Sequence, residues 1–245
     1  PDLFELPVDG DPANTTWLLH DAHLHYWIGE FDGETFVAET ERRKGDLGCN
    51  FHAAQSWNDA PRRVQIGWMC NGEYPDMPFS QQMSFPCELS LGTVGGEVRL
   101  LRHPIREIEQ LYGEVVELAD VAVTPGENPL VGARGELLDI ELTVRLDEAS
   151  GFELGLGDVA ITYTAGKISC LGRTAPVPQV SGAVTLRVLL DRTSVEIFAA
   201  GGATVMSSCF LQSQKELTFC SVGGDVIIES LRIAPLRSIW PTNEG

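Results

Sequence analysis

The stretch LRVLLDRTSVEIFAAGGATVMSS, residues 186–208, decides the fold class of this chain. Leu186, Val188 and Leu190 fall on one face of a β-strand, as do Val195 and Ile197 in the next segment. The turn sequences DRTS and AGGA bracket the second strand, so consecutive hairpins are predicted. We expect Arg187 and Glu196 on the opposite, solvated face.

The same rhythm of strands and turns runs along most of the chain. HLHYWIGEFDGETF, residues 23–36, surrounds an Asp32-Gly33 pair that is a strong hairpin signal, and RRVQIGWM, residues 62–69, continues as a strand. Further along, about ten strands in roughly 150 residues indicate two packed sheets. Their sequences are EVRLLR, VVELADVAV, ELLDIELTVRL, FELGLG, VAITYTA, KISCL, VTLRVLLD, SVEIFAA, TVMSSCFL and DVIIESLRIA.

Helix is scarce in the sequence. In IREIEQLYGE, residues 105–114, Ile105, Ile108 and Leu111 recur at helical spacing, and Gly113 offers a C-terminal stop. We predict a short connecting helix there. Helices do not alternate with strands, so a parallel nucleotide-binding sheet is excluded.

Charge restricts the partners. The chain has 17 basic and 35 acidic residues and a net charge of −18, so nucleic acid and anionic lipid surfaces would be repelled. No apolar run approaches the length of a membrane-spanning helix. Neutral ligands such as sugars meet no electrostatic penalty.

Few residues suggest metal or cofactor chemistry. His20, His23 and His25 lie close together in sequence, but no third ligand is marked, and we expect surface or loop histidines rather than a metal site. The six cysteines form no C-x-x-C pair, and no G-x-S-x-G elbow or phosphate-binding glycine loop occurs. No cofactor is predicted.

Aromatic residues give the clearest ligand signal. Trp57 and Trp68 lie in FHAAQSWNDAPRRVQIGWMCNGEY, residues 51–74. Flat rings beside amide donors suit a sugar site, although a Trp in a β protein is more often part of the core. Carboxylates are too numerous for a catalytic pair to be chosen. The polar neighbours of the two tryptophans are Gln55, Asn58, Asn71 and Tyr74.

Several ordered blocks carry a resemblance to a known family. NFHAAQSW, RRVQIGWMCNGEY and MPFSQQMSFPCELSL resemble the closing part of the catalytic domain of glycoside hydrolase family 32, the levanase, inulinase and invertase family. The stretch 186–208 resembles the signature hairpins of that family's C-terminal domain. The resemblance implies an all-β chain: the last part of a five-bladed β-propeller in residues 1–86, a connection with a short helix and the first sandwich strands in 87–113, and a two-sheet β-sandwich in 114–245.

The family resemblance also bears on catalysis. In the family, a sequence like PDLF follows a Glu-Cys pair whose Glu is the general acid/base, and the other two acids lie in Asn-Asp-Pro-Asn-like and Arg-Asp-Pro motifs. None of these motifs occurs in the 245 residues, so no catalytic residue is assigned and Asp2 is no substitute. The resemblance implies a retaining β-fructofuranosidase that acts on fructans such as levan or inulin, or on sucrose. This chain is expected to be only part of that enzyme and to be inactive alone.

The resemblance implies that this chain contains one wall of the family's substrate pocket. Many relatives have an Asn-Trp-Glu/Gln-Tyr motif whose Trp approaches the sugar, whereas this sequence reads NGEY, with Gly72 in that place. Trp57 and Trp68 are expected neighbours of the fructosyl site, and Asn71 is an expected polar contact. Packing within a blade is the alternative role for these three residues.

An incomplete propeller implies a partner. Its vacant strand edges would need the N-terminal propeller half, in the same protein or another chain, or contacts in a homo-oligomer. A fructan or sucrose-type carbohydrate is the expected ligand, and an extracellular or periplasmic location is favoured. The alternative function is a non-catalytic carbohydrate-binding or scaffold module.

Overall fold

A computed structural model describes residues 1–239 and shows a chain that is nearly all-β, as predicted. The chain forms two compact units: residues 1–105 with 201–209, and residues 106–200 with those from 210 onward. The last six positions of the predicted sandwich, 240–245, lie outside the described residues. No helix within the described range has the length and apolar character that crossing a membrane requires.

The first unit is built on one ten-stranded sheet. Its main path runs β4-β3-β2-β1-β9-β7-β6, with β10 paired to β9, β5 to β3 and β8 to β7. The contact between β1 and β9 is parallel, and the other pairs are antiparallel. The strands are β1 (Asp2–Val8), β2 (Asp11–His20), β3 (His25–Phe31), β4 (Phe36–Ala38), β5 (Arg43–Lys44), β6 (Phe51–Ser56), β7 (Val64–Met69), β8 (Gln82–Met83), β9 (Cys87–Val94) and β10 (Glu97–Pro104).

Alternating side chains build the core of this unit. In β1, Phe4, Leu6 and Val8 are buried at every second position, which is the period of a strand with one covered face. The predicted Asp32-Gly33 turn is present, because Asp32 Oδ1 accepts from the N–H groups of the two residues that follow Gly33. The core cluster consists of Phe4, Leu6, Val8, Leu18, Tyr26, Ile28, Leu89, Leu91 and Leu100.

A buried ion pair ties together distant segments of the first unit. Arg102 Nη1 donates to Asp46 Oδ2 at 2.9 Å, and both side chains are 2% exposed. Asp46 also accepts from the N–H of Gly48 and from the N–H and Oγ of Ser207. Ser207 lies on β19 (Thr204–Cys209), a strand that joins this unit from far along the chain. These donors together compensate the negative charge of the buried Asp46 carboxylate.

The second unit contains two antiparallel sheets. One runs β11-β21-β12-β17-β18 and the other runs β16-β15-β14-β13-β20. The three hairpin segments of residues 186–208 correspond to β17, β18 and β19, as predicted. The strands are β11 (Val116–Val123), β12 (Leu138–Arg145), β13 (Gly151–Leu156), β14 (Val159–Thr164), β15 (Lys167–Cys170), β16 (Arg173–Pro176), β17 (Ala183–Asp191), β18 (Ser194–Ala199), β20 (Leu217–Val222) and β21 (Val226–Pro235).

The connecting helix is a 3-10 helix over Arg106–Leu111. Ile105, Ile108 and Leu111 are spaced strictly by three residues. This spacing fits the three residues per turn of a 3-10 helix better than the 3.6 of an α-helix. A second short 3-10 turn occupies Ala200–Gly202.

The prediction of a solvated face on β17 and β18 is wrong for Glu196. Glu196 is fully buried, as is every residue of β18, so both faces of this strand are covered. Arg187 on β17 is 22% exposed and donates from Nε and Nη2 to the buried carboxylate of Asp139. A strand covered on both faces does not follow the rule of one apolar and one solvated face.

The ion pair of the first unit yields a test of stability. We expect Asp46→Ala to lower the free energy of unfolding by about 3–5 kcal/mol, because the guanidinium of Arg102 would remain buried without this carboxylate. Urea unfolding followed by tryptophan fluorescence measures the loss.

Glu97→Ala is the matched control. Glu97 is 54% exposed and pairs with Arg43 and Arg99 at the surface. Its removal should cost less than about 1 kcal/mol. Equal losses in the two variants would contradict a special role for Asp46.

Candidate functional site

The candidate site lies on the hairpin of β6 and β7. His52 is the cross-strand partner of Trp68, and Ser56 is the partner of Gln65, with a register shift between His52 and Gln55. On β7, Gln65 and the other residues of its face are buried, whereas Trp68 is exposed on the opposite face. The hairpin therefore has one covered face and one open face.

Both predicted tryptophans belong to the open face. Trp57 is 51% exposed and Trp68 is 38% exposed. The N–H of Trp57 donates to the carbonyl of Val64 at 2.9 Å and extends the ladder by one step, which places Trp57 on the same side as Trp68. Val64, the residue opposite Trp57, lies about 13 Å along the strand from Trp68, at ~3.3 Å per residue.

The loop between the strands is held by Arg63. Its Nη1 donates to the carbonyl of Trp57 at 3.1 Å and to Ser56 Oγ at 3.3 Å, and its guanidinium lies 4.6 Å from the centre of the Phe4 ring. These contacts fix the backbone of Trp57 although its ring is exposed.

Asn71 lies in the turn after β7, three residues beyond Trp68. Its φ of 61° is in the left-handed region, which Asn tolerates better than most residues. The side chain is exposed, and its Nδ2 makes a weak contact with Cys70 Sγ at 3.4 Å. The amide is therefore exposed to solvent at the end of β7.

Tyr74 packs against Gly72, the residue at the Trp position of the related motif. Gly72 is buried, and a Cβ added there would meet the Tyr74 hydroxyl at 2.5 Å. The same hydroxyl donates to Gln82 Oε1 at 3.0 Å, which holds the ring over Gly72. No side chain can project from position 72 unless Tyr74 moves.

The covered face of the hairpin carries a buried polar cluster that includes His20. The prediction that this histidine lies at the surface or in a loop is therefore wrong. His20 and Gln65 are each 1% exposed. His20 Nδ1 donates to the carbonyl of Asp21 at 3.1 Å, so Nε2 of the neutral ring accepts from Gln65 Nε2 at 3.2 Å. Asp2 accepts from the N–H and Oγ of Ser56 and lies 3.8 Å from His20 Nε2.

The structure brings one further residue to the open face that sequence reasoning missed. The ring of His52 lies 5.8 Å from the ring of Trp68, in an edge-to-face arrangement. Pairing β6 with β7 in register would have identified His52 as the neighbour of Trp68. Among residues 1–239, no group of three or more His, Cys, Asp or Glu side chains could hold a metal ion.

The overlap at Gly72 can be tested by a double-mutant cycle. We expect Gly72→Ala to lower the free energy of unfolding by about 1–3 kcal/mol, because its Cβ would overlap the Tyr74 ring. The loss should be smaller in a Tyr74→Phe background, which lacks the hydroxyl. Urea unfolding of the four proteins checks this, and strictly additive losses would contradict it.

The buried His20 predicts a pH dependence. Burial lowers the pKa of His20 below its ordinary value of 6.5. As the pH falls, His20 therefore takes up its proton in the unfolded chain before it does so in the folded chain. Its contribution to the free energy of unfolding is complete above about pH 6.5 and is lost below that pH, by at most about 1.4 kcal/mol per pH unit. Urea unfolding between pH 7.5 and 5 should show this slope in the parent but not in His20→Gln. Parallel curves would contradict it.

Comparisons with known proteins agree with this fold. The model of the Glycosyl hydrolases family 32 N-terminal domain matches residues 1–104, and the model of the Glycosyl hydrolases family 32 C terminal matches residues 107–235. A levanase of Bacillus subtilis (strain 168) is 31% identical, over 99% of this chain and 43% of its own length. An extracellular exo-inulinase of Aspergillus niger is 25% identical, over 98% of this chain and 55% of its own length. The chain thus spans about half the length of these relatives.

Solved structures support the same fold. The exo-inulinase from Aspergillus awamori has a TM-score of 0.82 at 22% identity, covering 97% of this chain and 56% of that one. The fructan 1-exohydrolase IIa from Cichorium intybus has a TM-score of 0.78 at 18% identity, covering 97% and 61%. With both family models matched in order along the sequence, the chain belongs to glycoside hydrolase family 32.

Proposed function

We propose that this chain is the C-terminal portion of a retaining β-fructofuranosidase-type hydrolase that acts on fructans or sucrose. The similarity to levanases and exo-inulinases supports the substrate class. In this proposal the first unit is the last part of a five-bladed β-propeller, the second is a two-sheet sandwich, and Trp57, Trp68 and Asn71 contribute to the sugar site.

The observation that carries the proposal is the open face of the β6–β7 hairpin. Trp57 and Trp68 expose apolar rings on one side of it, and Asn71 supplies an amide at its end. Sugars bind through such rings, because their C–H faces pack on them while hydroxyls reach polar groups nearby. A surface of net charge −18 is compatible with a neutral ligand.

Hydrolysis requires acids that this chain does not supply. A retaining mechanism needs a nucleophilic carboxylate and an acid/base about 5 Å apart. The family's Asp would attack the anomeric carbon while its Glu protonates the leaving oxygen and then activates water. Since the motifs that carry these acids are absent from the 245 residues, this chain alone is inactive and works with the N-terminal propeller half or in an oligomer.

A carbohydrate-binding module without catalysis is the second candidate. In that case the ligand would be expected on the sandwich sheets of the second unit. The exposed Trp and Phe rings among residues 1–239 are Trp57, Trp68 and Phe79, and all three lie in the first unit. Their location favours the hydrolase.

Activity assays separate these functions. Fructose release from levan, inulin and sucrose is measured for the 245-residue chain and for the product of the gene that encodes it. We expect no turnover by the 245-residue chain. The gene product should hydrolyse these sugars with retention of the anomeric configuration, which NMR measures. Turnover by the chain alone contradicts its inactivity, and binding without turnover by the gene product favours the module.

A further inference from the structure

Asn14 begins a short motif that the proposed function does not use, Asn14-Thr15-Thr16. An Asn followed two residues later by Ser or Thr, with any residue but Pro between them, is the acceptor motif of N-linked glycosylation. The other five asparagines of the sequence are not followed at that distance by Ser or Thr. The motif therefore occurs once in the 245 residues, and its place in the fold decides whether a glycan can be carried there.

The acceptor residue lies in a bulge of β2. Pro7 of β1 pairs with Thr15 of β2. The next residue of β1, Val8, pairs with Asp11, so three residues of β2, the last of which is Asn14, have no partner on β1. The ladder between β2 and β3 begins three residues after Asn14. Because extra residues in one strand leave the ladder locally, Asn14 belongs to neither ladder.

The side chain of Asn14 is accessible in the folded chain. It is exposed and makes no hydrogen bond among residues 1–239. The backbone around it is held on both sides, because the N–H of Ala13 donates to Asp11 Oδ1 at 2.9 Å and Thr16 Oγ1 donates to the carbonyl of Gly29 at 3.0 Å. A substituent on Asn14 Nδ2 therefore breaks no hydrogen bond of the fold.

The turn that precedes the bulge is also fixed. The carboxylate of Asp9 accepts from the N–H and from Oγ1 of Thr93, each at 2.7 Å, and the N–H of Asp9 donates to the carbonyl of Leu91 at 2.9 Å. The turn between β1 and β2 is thus attached to β9. A group carried on Asn14 stays at a defined place on the surface of the first unit.

Asn14 lies at the opposite end of β1 from the hairpin that carries the candidate site. Ser56 of that hairpin donates to Asp2 at the start of β1, whereas Pro7, the partner of Thr15, is near its end. Asp2 and Pro7 are about 17 Å apart along the strand, at ~3.3 Å per residue. Modification of Asn14 is therefore compatible with the proposed function and does not depend on it.

We propose that Asn14 carries an N-linked glycan in the product of the gene, transferred from a lipid-linked sugar phosphate. Nδ2 of Asn14 forms a bond to C1 of the sugar, and the bond between C1 and the phosphate oxygen breaks. The lipid phosphate leaves with the electron pair, one amide proton passes to solvent, and no group is oxidised or reduced. Thr16 supplies the hydroxyl that the acceptor motif requires. A glycan is bulky and hydrophilic, which the exposed bulge accommodates.

Mass spectrometry of the gene product tests the site. The protein is isolated from the organism that encodes it and digested, and the peptide that contains Asn14 is fragmented by electron transfer, which leaves a glycan on its residue. We expect a glycan on Asn14 and its complete loss in Asn14→Gln. Thr16→Ser keeps the hydroxyl and should retain the glycan. Asn58→Gln is the matched control, because Asn58 is also exposed but is followed two residues later by Ala60, so the glycan should remain.

Three outcomes would overturn the inference. They are an unmodified Asn14 in the gene product, a glycan that persists in Asn14→Gln, and a glycan that disappears in Asn58→Gln. The parent and Asn14→Gln are also made in a host without N-linked glycosylation, where they should unfold at the same temperature because the Asn14 side chain makes no hydrogen bond in the described part of the chain. Levan hydrolysis by the same preparations reports separately on the proposed function.

Discussion

The carboxylate of Asp46 and the guanidinium of Arg102 organise the first unit. Burial of this pair is tolerated because Gly48 and Ser207 supply further donors to the same carboxylate. Arg102 in turn lies 4.2 Å from the centre of the Phe51 ring, at the start of β6. The position of the hairpin that carries the candidate site therefore depends on an ion pair in the interior.

Phe51 transmits this constraint to β7. A Cβ at Gly67 would meet the Phe51 ring at 2.3 Å, so only glycine lets the ring lie flat against the strand. Trp68 is the next residue and points the other way, because successive side chains alternate. One face of the hairpin is thereby packed on the interior, and the other is left exposed. The same division separates the buried His20 and Gln65 from the exposed Trp68.

Binding surface and reactive acids have different requirements. Rings and amides on a rigid hairpin can recognise a neutral sugar at moderate precision, whereas glycoside hydrolysis needs two carboxylates at a defined separation. In the proposed enzyme this chain supplies the rings and amides, and the N-terminal half supplies the two carboxylates. The acidic composition keeps the surface unattractive to phosphates and leaves neutral carbohydrates unaffected.

Local patterns in the sequence determined the all-β class, the hairpins of residues 186–208, the Asp32-Gly33 turn and the family. Period-two alternation and turn residues are properties of neighbouring positions, so they can be read without a structure. Tertiary structure alone decided that Glu196 and His20 are buried, that Tyr74 fills the space at Gly72, and that His52 lies between His23 and Trp68. The physical reason is that these features depend on strand register and on contacts between residues far apart in the chain, such as Asp46 with Ser207.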